Sequence, residues 1–233
     1  MSKSESNPDS PTRAVGVSPV AGDSLFRQRL RLWFCVEEDK RFLSHHDMMR
    51  LWERALRRAG LPLRLSQGYN PRPKMSLPEP RSVGIASEAE ILEFELADWV
   101  NPDAVLERLR REMPSGLAIR SLDLVRPTDK AHPHTVVYVV RLESPPSDLA
   151  DRARRVLDRR EAPVVRPRPK GDKHLDARPF IRDLVTTDEG QIRMTLATGP
   201  DGTVRPNEVL RLMGLDRDAI LRADIRRTDI RLD

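Results

Sequence analysis

The sequence predicts an α+β protein made of two tandem ferredoxin-like (β-α-β-β-α-β) units, the second irregular and interrupted by an insertion. Three observations carry this. Stretches that alternate apolar and polar residues, as strands with one buried face do, interleave with stretches at helical 3.6-residue spacing. The same order of elements begins again after residue 134, as architecture rather than as sequence identity. A chain of 233 residues with 38% hydrophobic content can fill two small cores more readily than one large one.

Residues 1–24 are rich in Ser, Pro, Gly and charge, lack any period, and read as a disordered leader. The first unit spans 25–126. From Gln28 to Val36, Leu30, Leu32, Phe34 and Val36 alternate with Arg29, Arg31, Trp33 and Cys35, the pattern of a half-buried strand. Met48, Trp52, Ala55, Leu56 and Ala59 then line one helical face; Ser44 suits the N-cap, Asp47 stands where a capping box places its acid, and Gly60 ends the helix. Leu61–Leu65 and Arg81–Ala86 are short strand candidates, and Leu92, Phe94 and Leu96 alternate with Glu93 and Glu95. Asn101-Pro102 opens a second helix carrying Val105, Leu106, Leu109 and Met113, closed at Pro114-Ser115-Gly116, and a strand follows from Leu117 to Val125.

Residues 126–134 contain prolines and no apolar residue larger than alanine, and read as a linker or a long connection. The second unit spans 135–233. Val136–Leu142 is an apolar strand, Leu149, Ala153, Val156 and Leu157 mark a helix, and Ala162–Arg168 is a strand candidate before an insertion over 169–185. Ile192, Met194 and Leu196 alternate, Pro206–Met213 begins a helix with Val209, Leu210 and Met213, and Ala223–Leu232 is strand-like with its alternation breaking near Arg227.

The formal charge is +5, yet 41 basic residues face 36 acidic ones, so only a local patch would argue for an acidic partner. Six of the basic residues are lysine and the other 35 arginine, which a GC-rich genome explains as well as selection for phosphate contacts does. Cys35 stands alone, which excludes an internal disulfide and a cysteine-built zinc or iron–sulfur site within this sequence. No apolar run approaches a membrane span and the N-terminus has no signal-peptide pattern, so no membrane contact and a cytoplasmic location are expected. Phosphate-loop, dinucleotide-binding, zincin and serine-hydrolase motifs are missing.

The segment Ser44–Ser76 concentrates the chemistry. His45 and Asp47 are candidates for acid/base work, but consecutive helical residues diverge by about 100°, which disfavours a metal site with His46, and capping explains Ser44 and Asp47 by itself. On the helix, Arg50, Arg54 and Arg57 form a basic side around Glu53, with Arg50–Glu53 a natural pair. In the loop that follows, prolines stiffen the chain, and Gln67, Tyr69, Asn70, Arg72 and Lys74 are free to make contacts: the ring of Tyr69 could stack on a base, and Gln67 or Asn70 could read one. Lys173, His174, Asp176 and Arg178, in the polar island 170–180, either belong to a flexible charged insertion or meet that loop across the junction between the halves.

Residues 41–76, RFLSHHDMMRLWERALRRAGLPLRLSQGYNPRPKMS, resemble a bacterial family of uncharacterised domains linked to radical SAM proteins. The likeness extends through SVGIASEAEILEFEL and on to residues 173–179. His46 and Arg72 stand where relatives often have leucine and histidine, a departure that weakens any claim that position 72 donates or accepts a catalytic proton. The resemblance implies a radical SAM protein as partner, which would carry the iron–sulfur cluster, S-adenosylmethionine and cobalamin, with no cofactor in this chain. The reading is therefore an accessory module that binds RNA through its basic helix-loop surface. The alternatives are a protein–protein adaptor without nucleic-acid contact and an RNA-processing enzyme using His45. Tandem ferredoxin-like units also resemble the RAMP proteins that bind and cut CRISPR RNA, but their glycine-rich C-terminal loop is missing.

Overall fold

A computed structural model describes residues 28–233 apart from Lys170, Asp188, Pro200 and Asp201; the leader predicted over residues 1–24 lies outside the described residues. Strand β1 (Gln28–Val36) buries Leu30, Leu32, Phe34 and Val36 on one face, as its alternation requires. Helix α1 (His45–Arg58) starts at Ser44, whose Oγ accepts the Asp47 N–H at 3.2 Å, and lays Met48, Trp52, Ala55 and Leu56 on that face. The Trp52 ring meets Phe34 edge-on with centroids 4.8 Å apart, a favoured aromatic geometry. Next come β2 (Met75–Ser76), β3 (Ala86–Leu96), α2 (Pro102–Arg111), N-capped by Asn101, and β4 (Leu117–Val125). These strands lie in the order β2-β3-β1-β4, every neighbour antiparallel.

The second half contains β5 (Pro133–Arg141), α3 (Leu149–Leu157), β6 (Pro163–Arg166), β7 (Lys173–Asp176), β8 (Ile181–Thr186), β9 (Gln191–Gly199), β10 (Gly202–Thr203), α4 (Pro206–Leu212), α5 (Arg217–Arg222) and β11 (Asp224–Leu232). Here β8-β9-β5-β11 run antiparallel in that order, and β11 then pairs in parallel with the start of β3 through Arg226↔Ala86 and Arg227↔Ser87. The product is a mixed α+β fold in which, among the described residues, five helices flank a large, mostly antiparallel nine-stranded sheet.

Strand β3 explains how one sheet carries two cores. Its Leu92, Phe94 and Leu96 pack with α1 and α2, whereas Ala89 and Ile91 belong to the core built around α3, α4 and β5. Alternate residues of a strand point to opposite faces, so the helices of the two halves cover opposite faces of the sheet. Trp33 of β1, on the Arg29/Arg31 face, packs against the second core.

Several elements differ from the sequence reading. Leu61–Leu65 supplies only the bridges Leu63↔Leu96 and Leu65↔Pro73. Of Arg81–Ala86 only Ala86, where β3 begins, is in a strand: Arg81 gathers the carbonyls of Arg41 at 2.6 Å and Ile85 at 3.0 Å, which folds the segment before it into a turn. Residues 163–166 leave the sheet to pair with β7, and the sheet strand is β8, whose Ile181 and Leu184 reach the second core. A register shift between Ile181 and Asp183 broke the alternation that would have identified it. The connection 126–134 is no free linker, since Arg29 Nη1 donates to the Pro127 carbonyl at 3.4 Å, Arg31 Nη2 to that of Asp129 at 3.2 Å, and the Ala131 N–H to Glu93 Oε1 at 2.9 Å.

Candidate binding surface

The loop after α1 is a closed hairpin braced on β3. The Arg64 N–H donates to the Glu95 carbonyl at 2.9 Å, Lys74 N–H to that of Arg64 at 2.8 Å, and Glu95 N–H to that of Lys74 at 3.0 Å. Further out, Ser66 N–H donates to the Arg72 carbonyl at 2.8 Å and Arg72 N–H to Ser66 Oγ at 3.0 Å. Gly68 takes φ +132° at the tip, a conformation that favours glycine. Gln67, Tyr69, Asn70 and Arg72 are exposed, and Tyr69 is 100% so. A tyrosine that packs buries roughly 150–250 Å2, and at about 25 cal/mol/Å2 that is worth several kcal/mol. A hairpin held this well by backbone bonds therefore presents a large, stackable ring to water.

On α1 the basic side is partly neutralised. Arg57 pairs with Glu53 at 3.1 Å, Arg50 lies 3.8 Å from Asp47 rather than beside Glu53, and Arg58 reaches Glu112 at 2.7 Å; Arg54 pairs with no carboxylate of the described residues. The helix and Lys74 do not share a face. The helix packs over Leu92 and Phe94, while Lys74 lies on the other side of the sheet with Arg29, Glu93 and Glu95, lining a hollow of about 450 Å3 with Met75, Ser76 and residues 130–132. There Arg29 and Arg31 hold Glu93 at 2.7 and 2.9 Å, and Arg64 holds Glu95 at 3.3 Å. Burial pushes the Glu93 carboxyl up, but bonds from Arg29, the Ala131 N–H and Arg31 outweigh it and hold the group below the usual carboxylate range.

His45 and Asp47 form no acid/base pair. Asp47 Oδ2 accepts the Ser44 hydroxyl at 2.6 Å, completing the cap. The His45 ring stands edge-on to His46 with centroids 5.8 Å apart, its Nδ1 buried without a partner. Partial burial and the His46 charge lower its pKa, which favours the neutral ring, but no carboxylate of the described residues orients it as a general base requires. Among the described residues no group of three or more His, Cys, Asp or Glu could hold a metal ion, and no helix is long and apolar enough to cross a membrane.

Lys173 opens β7 opposite Arg166. Arg178 is an internal clip: its Nε donates to the Leu157 carbonyl and its Nη1 to that of Ile181, both at 2.9 Å. No hydrogen bond or ion pair among the described residues joins either side chain to the hairpin.

The sequence reading missed a polar cluster at the seam between the halves. Arg227 is fully buried and donates to Glu90 at 3.0 Å, to the Glu79 carbonyl at 2.9 Å and to the Tyr138 hydroxyl at 3.2 Å. Glu79 in turn accepts the Thr198 hydroxyl at 2.8 Å. Burial pushes the Glu79 carboxyl above its ordinary value, against the pull of Thr198 and Arg227. Burial also raises the Tyr138 phenol, although Arg227 opposes it. The break in alternation at Arg227 was the one visible signal, because a strand residue that defies its pattern often sits at a bulge, and the register of β11 shifts between Arg227 and Asp229.

A family model described as "Uncharacterized protein conserved in bacteria (DUF2344)" matches residues 29–206. No curated protein matches the sequence. Among solved structures, the chain is similar to one in "Crystal Structure of a Cbf5-Nop10-Gar1 Complex", at 10% identity over 85% of this chain and 48% of that one, with a TM-score of 0.39. It therefore spans about half the length of that relative (48%). It is also similar to an unknown protein from Galdieria sulphuraria, at 12% identity over 89% of this chain and 99% of that one, with a TM-score of 0.27.

Proposed function

The chain belongs to this bacterial DUF2344 family, and we propose that it is an RNA-binding accessory module of a cobalamin-binding radical SAM protein, holding single-stranded RNA on the hairpin Leu65–Pro73. The observation that carries the reading is Tyr69, 100% exposed on a hairpin closed by backbone bonds. Single-stranded nucleic acid is bound by stacking its bases on such rings beside cations that meet its phosphates. Arg72, exposed on the same hairpin, has no carboxylate partner among the described residues, and Gln67 and Asn70 offer exposed amides. The resemblance of residues 41–76 supports the partner. With Cys35 as its one cysteine this sequence cannot supply the three thiolates such a cluster needs, so the iron–sulfur, S-adenosylmethionine and cobalamin chemistry falls to that partner. The strand orders β2-β3-β1-β4 and β8-β9-β5-β11 support reading each half as a ferredoxin-like unit.

The test is a titration of the purified chain with fluorescently labelled single-stranded RNA at several salt concentrations. Wild-type binding is expected to fall steeply with salt. Tyr69→Ala should weaken it by about 1–3 kcal/mol, roughly fivefold to 150-fold, without changing the circular dichroism. Absent or salt-insensitive binding would sink the proposal, and co-elution with the radical SAM partner while RNA stays behind would favour an adaptor instead.

A further inference from the structure

The hollow beside the hairpin has more positive charge than it needs for its own carboxylates. Arg29, Arg31 and Arg64 already saturate Glu93 and Glu95, leaving Lys74 and Lys130, which line the same hollow, paired with no carboxylate of the described residues. Five cations thus face two carboxylates, or three if Asp129 of the same connection is counted. Lys130 arrives from residues 126–132, which have no regular structure of their own and are strapped across the sheet by the bonds from Arg29 and Arg31 and by the one from the Ala131 N–H to Glu93. That strap brings the second lysine to the hollow that Lys74 lines and adds His132 to its lining.

From this geometry we infer that the hollow between β2 and the 126–132 strap is a phosphate seat, in which Lys74 and Lys130 take a backbone phosphate of the strand whose base stacks on Tyr69. The inference rests on the RNA reading above and deepens it. Lysine ammonium groups bind phosphate as compact point charges that impose no fixed bidentate geometry, and the exposed oxygens of a phosphodiester can lie between two of them. Ser76 lines the same hollow and makes no side-chain hydrogen bond among the described residues, so its hydroxyl is a third donor. The ring and the seat's Lys74 are close along the chain: from Tyr69 to Lys74 is five residues, at most about 17 Å of extended chain. A stacked strand advances about 3.4 Å per nucleotide, so one strand of about five nucleotides or fewer reaches both. The arginines cannot do this work, because each is tied to Glu93 or Glu95, and those carboxylates would repel a phosphate if left unpaired. Arg29, Arg31 and Arg64 instead cancel the acids beneath the seat.

Phosphate contacts and base stacking leave different traces in a salt titration, because a phosphate contact releases counterions and stacking does not. The experiment measures the slope of log affinity against log salt for a labelled oligouridine with wild type, Lys74→Ala, Lys130→Ala, the double variant of these two, Lys130→Arg, Tyr69→Ala and, as a control on the opposite face, Arg110→Ala. Because Lys74 and Lys130 share one phosphate, changing both to alanine should lessen the slope by about 0.7, the single-strand value per phosphate, and each single change should lessen it by part of that. Lys130→Arg should keep it, Tyr69→Ala should weaken binding with the slope intact, and Arg110→Ala should change neither. A wild-type slope in Lys130→Ala, while Tyr69→Ala still weakens binding, would overturn the seat and leave the RNA reading standing. No binding by the wild-type chain would overturn both.

Discussion

Replacing Arg227 with methionine tests whether the seam between the halves is held by a buried charge. The side chain is 0% exposed, and its partner Glu90 is 8% exposed. Removing the guanidinium strands that carboxylate in the interior, and breaking a buried pair from one side costs about 3–5 kcal/mol. The carbonyl of Glu79 and the hydroxyl of Tyr138 lose their donor as well, while the methionine side chain keeps most of the packed volume. For a chain of this size 1 kcal/mol moves Tm by roughly 2–4 °C, so Arg227→Met should melt about 6–20 °C lower. The double variant with Glu90→Gln should recover part of the loss, because the stranded charge is gone. Urea unfolding of the four members of this cycle gives the coupling directly. A loss under about 1 kcal/mol, or no recovery from Glu90→Gln, would refute the argument, since either result means the pair contributes nothing specific to the fold.

Glu79→Gln should stabilise the protein at neutral pH. The folded carboxyl titrates above its ordinary value, so its contribution is full below the unfolded pKa and is lost as pH rises through the folded one; glutamine escapes that loss, and the gain over wild type should vanish in acid. Melting curves from acid to neutral pH check the sign. Trp52→Ala should cost about 3–5 kcal/mol, because Trp52 is 0% exposed and stacks edge-on against Phe34; denaturant unfolding measures it, and a loss under 1 kcal/mol would contradict the packing described.

In the first half β1, α1 and α2 were legible because they obey local rules, unlike Leu61–Leu65, Arg81–Ala86 and β2. Ser44, Asp47 and Gly60 mark the ends of α1, Asn101 and Pro102 the start of α2, and β1 alternates without a break from Leu30 to Val36. The second half was harder to read wherever tertiary contacts override local pattern. Ile181 and Leu184 are the inward residues of β8, but they are separated by a bulge and followed by exposed Val185, so no period-2 signal survives. Residues 126–132 look like a linker because their anchors are backbone carbonyls and one N–H, which carry no side-chain signature. The same limit governed the site. Exposure of the 66–72 tip follows from its polarity and prolines, but nothing local reveals that Lys74 turns away from α1 toward Arg29. That depends on the register of Met75 against Phe94, and a shift of one residue would have reversed it.

The register also explains why a recognition hairpin would be built here. Arg64 and Lys74, at the hairpin's base, hydrogen-bond through their backbones to Glu95 of β3, and β3 contributes side chains to both cores, Leu92 to one and Ile91 to the other. A hairpin on an edge strand would move with local fraying. One anchored to the strand shared by both cores moves only if a core opens, so the ordering cost of its backbone has been met before a ligand arrives, and less of the stacking energy on Tyr69 is lost on binding. The strap 126–132 extends the argument to the second half. It runs directly into β5, so the position of Lys130 depends on the seam that Arg227 holds, and loosening that seam should weaken phosphate contact more than base stacking.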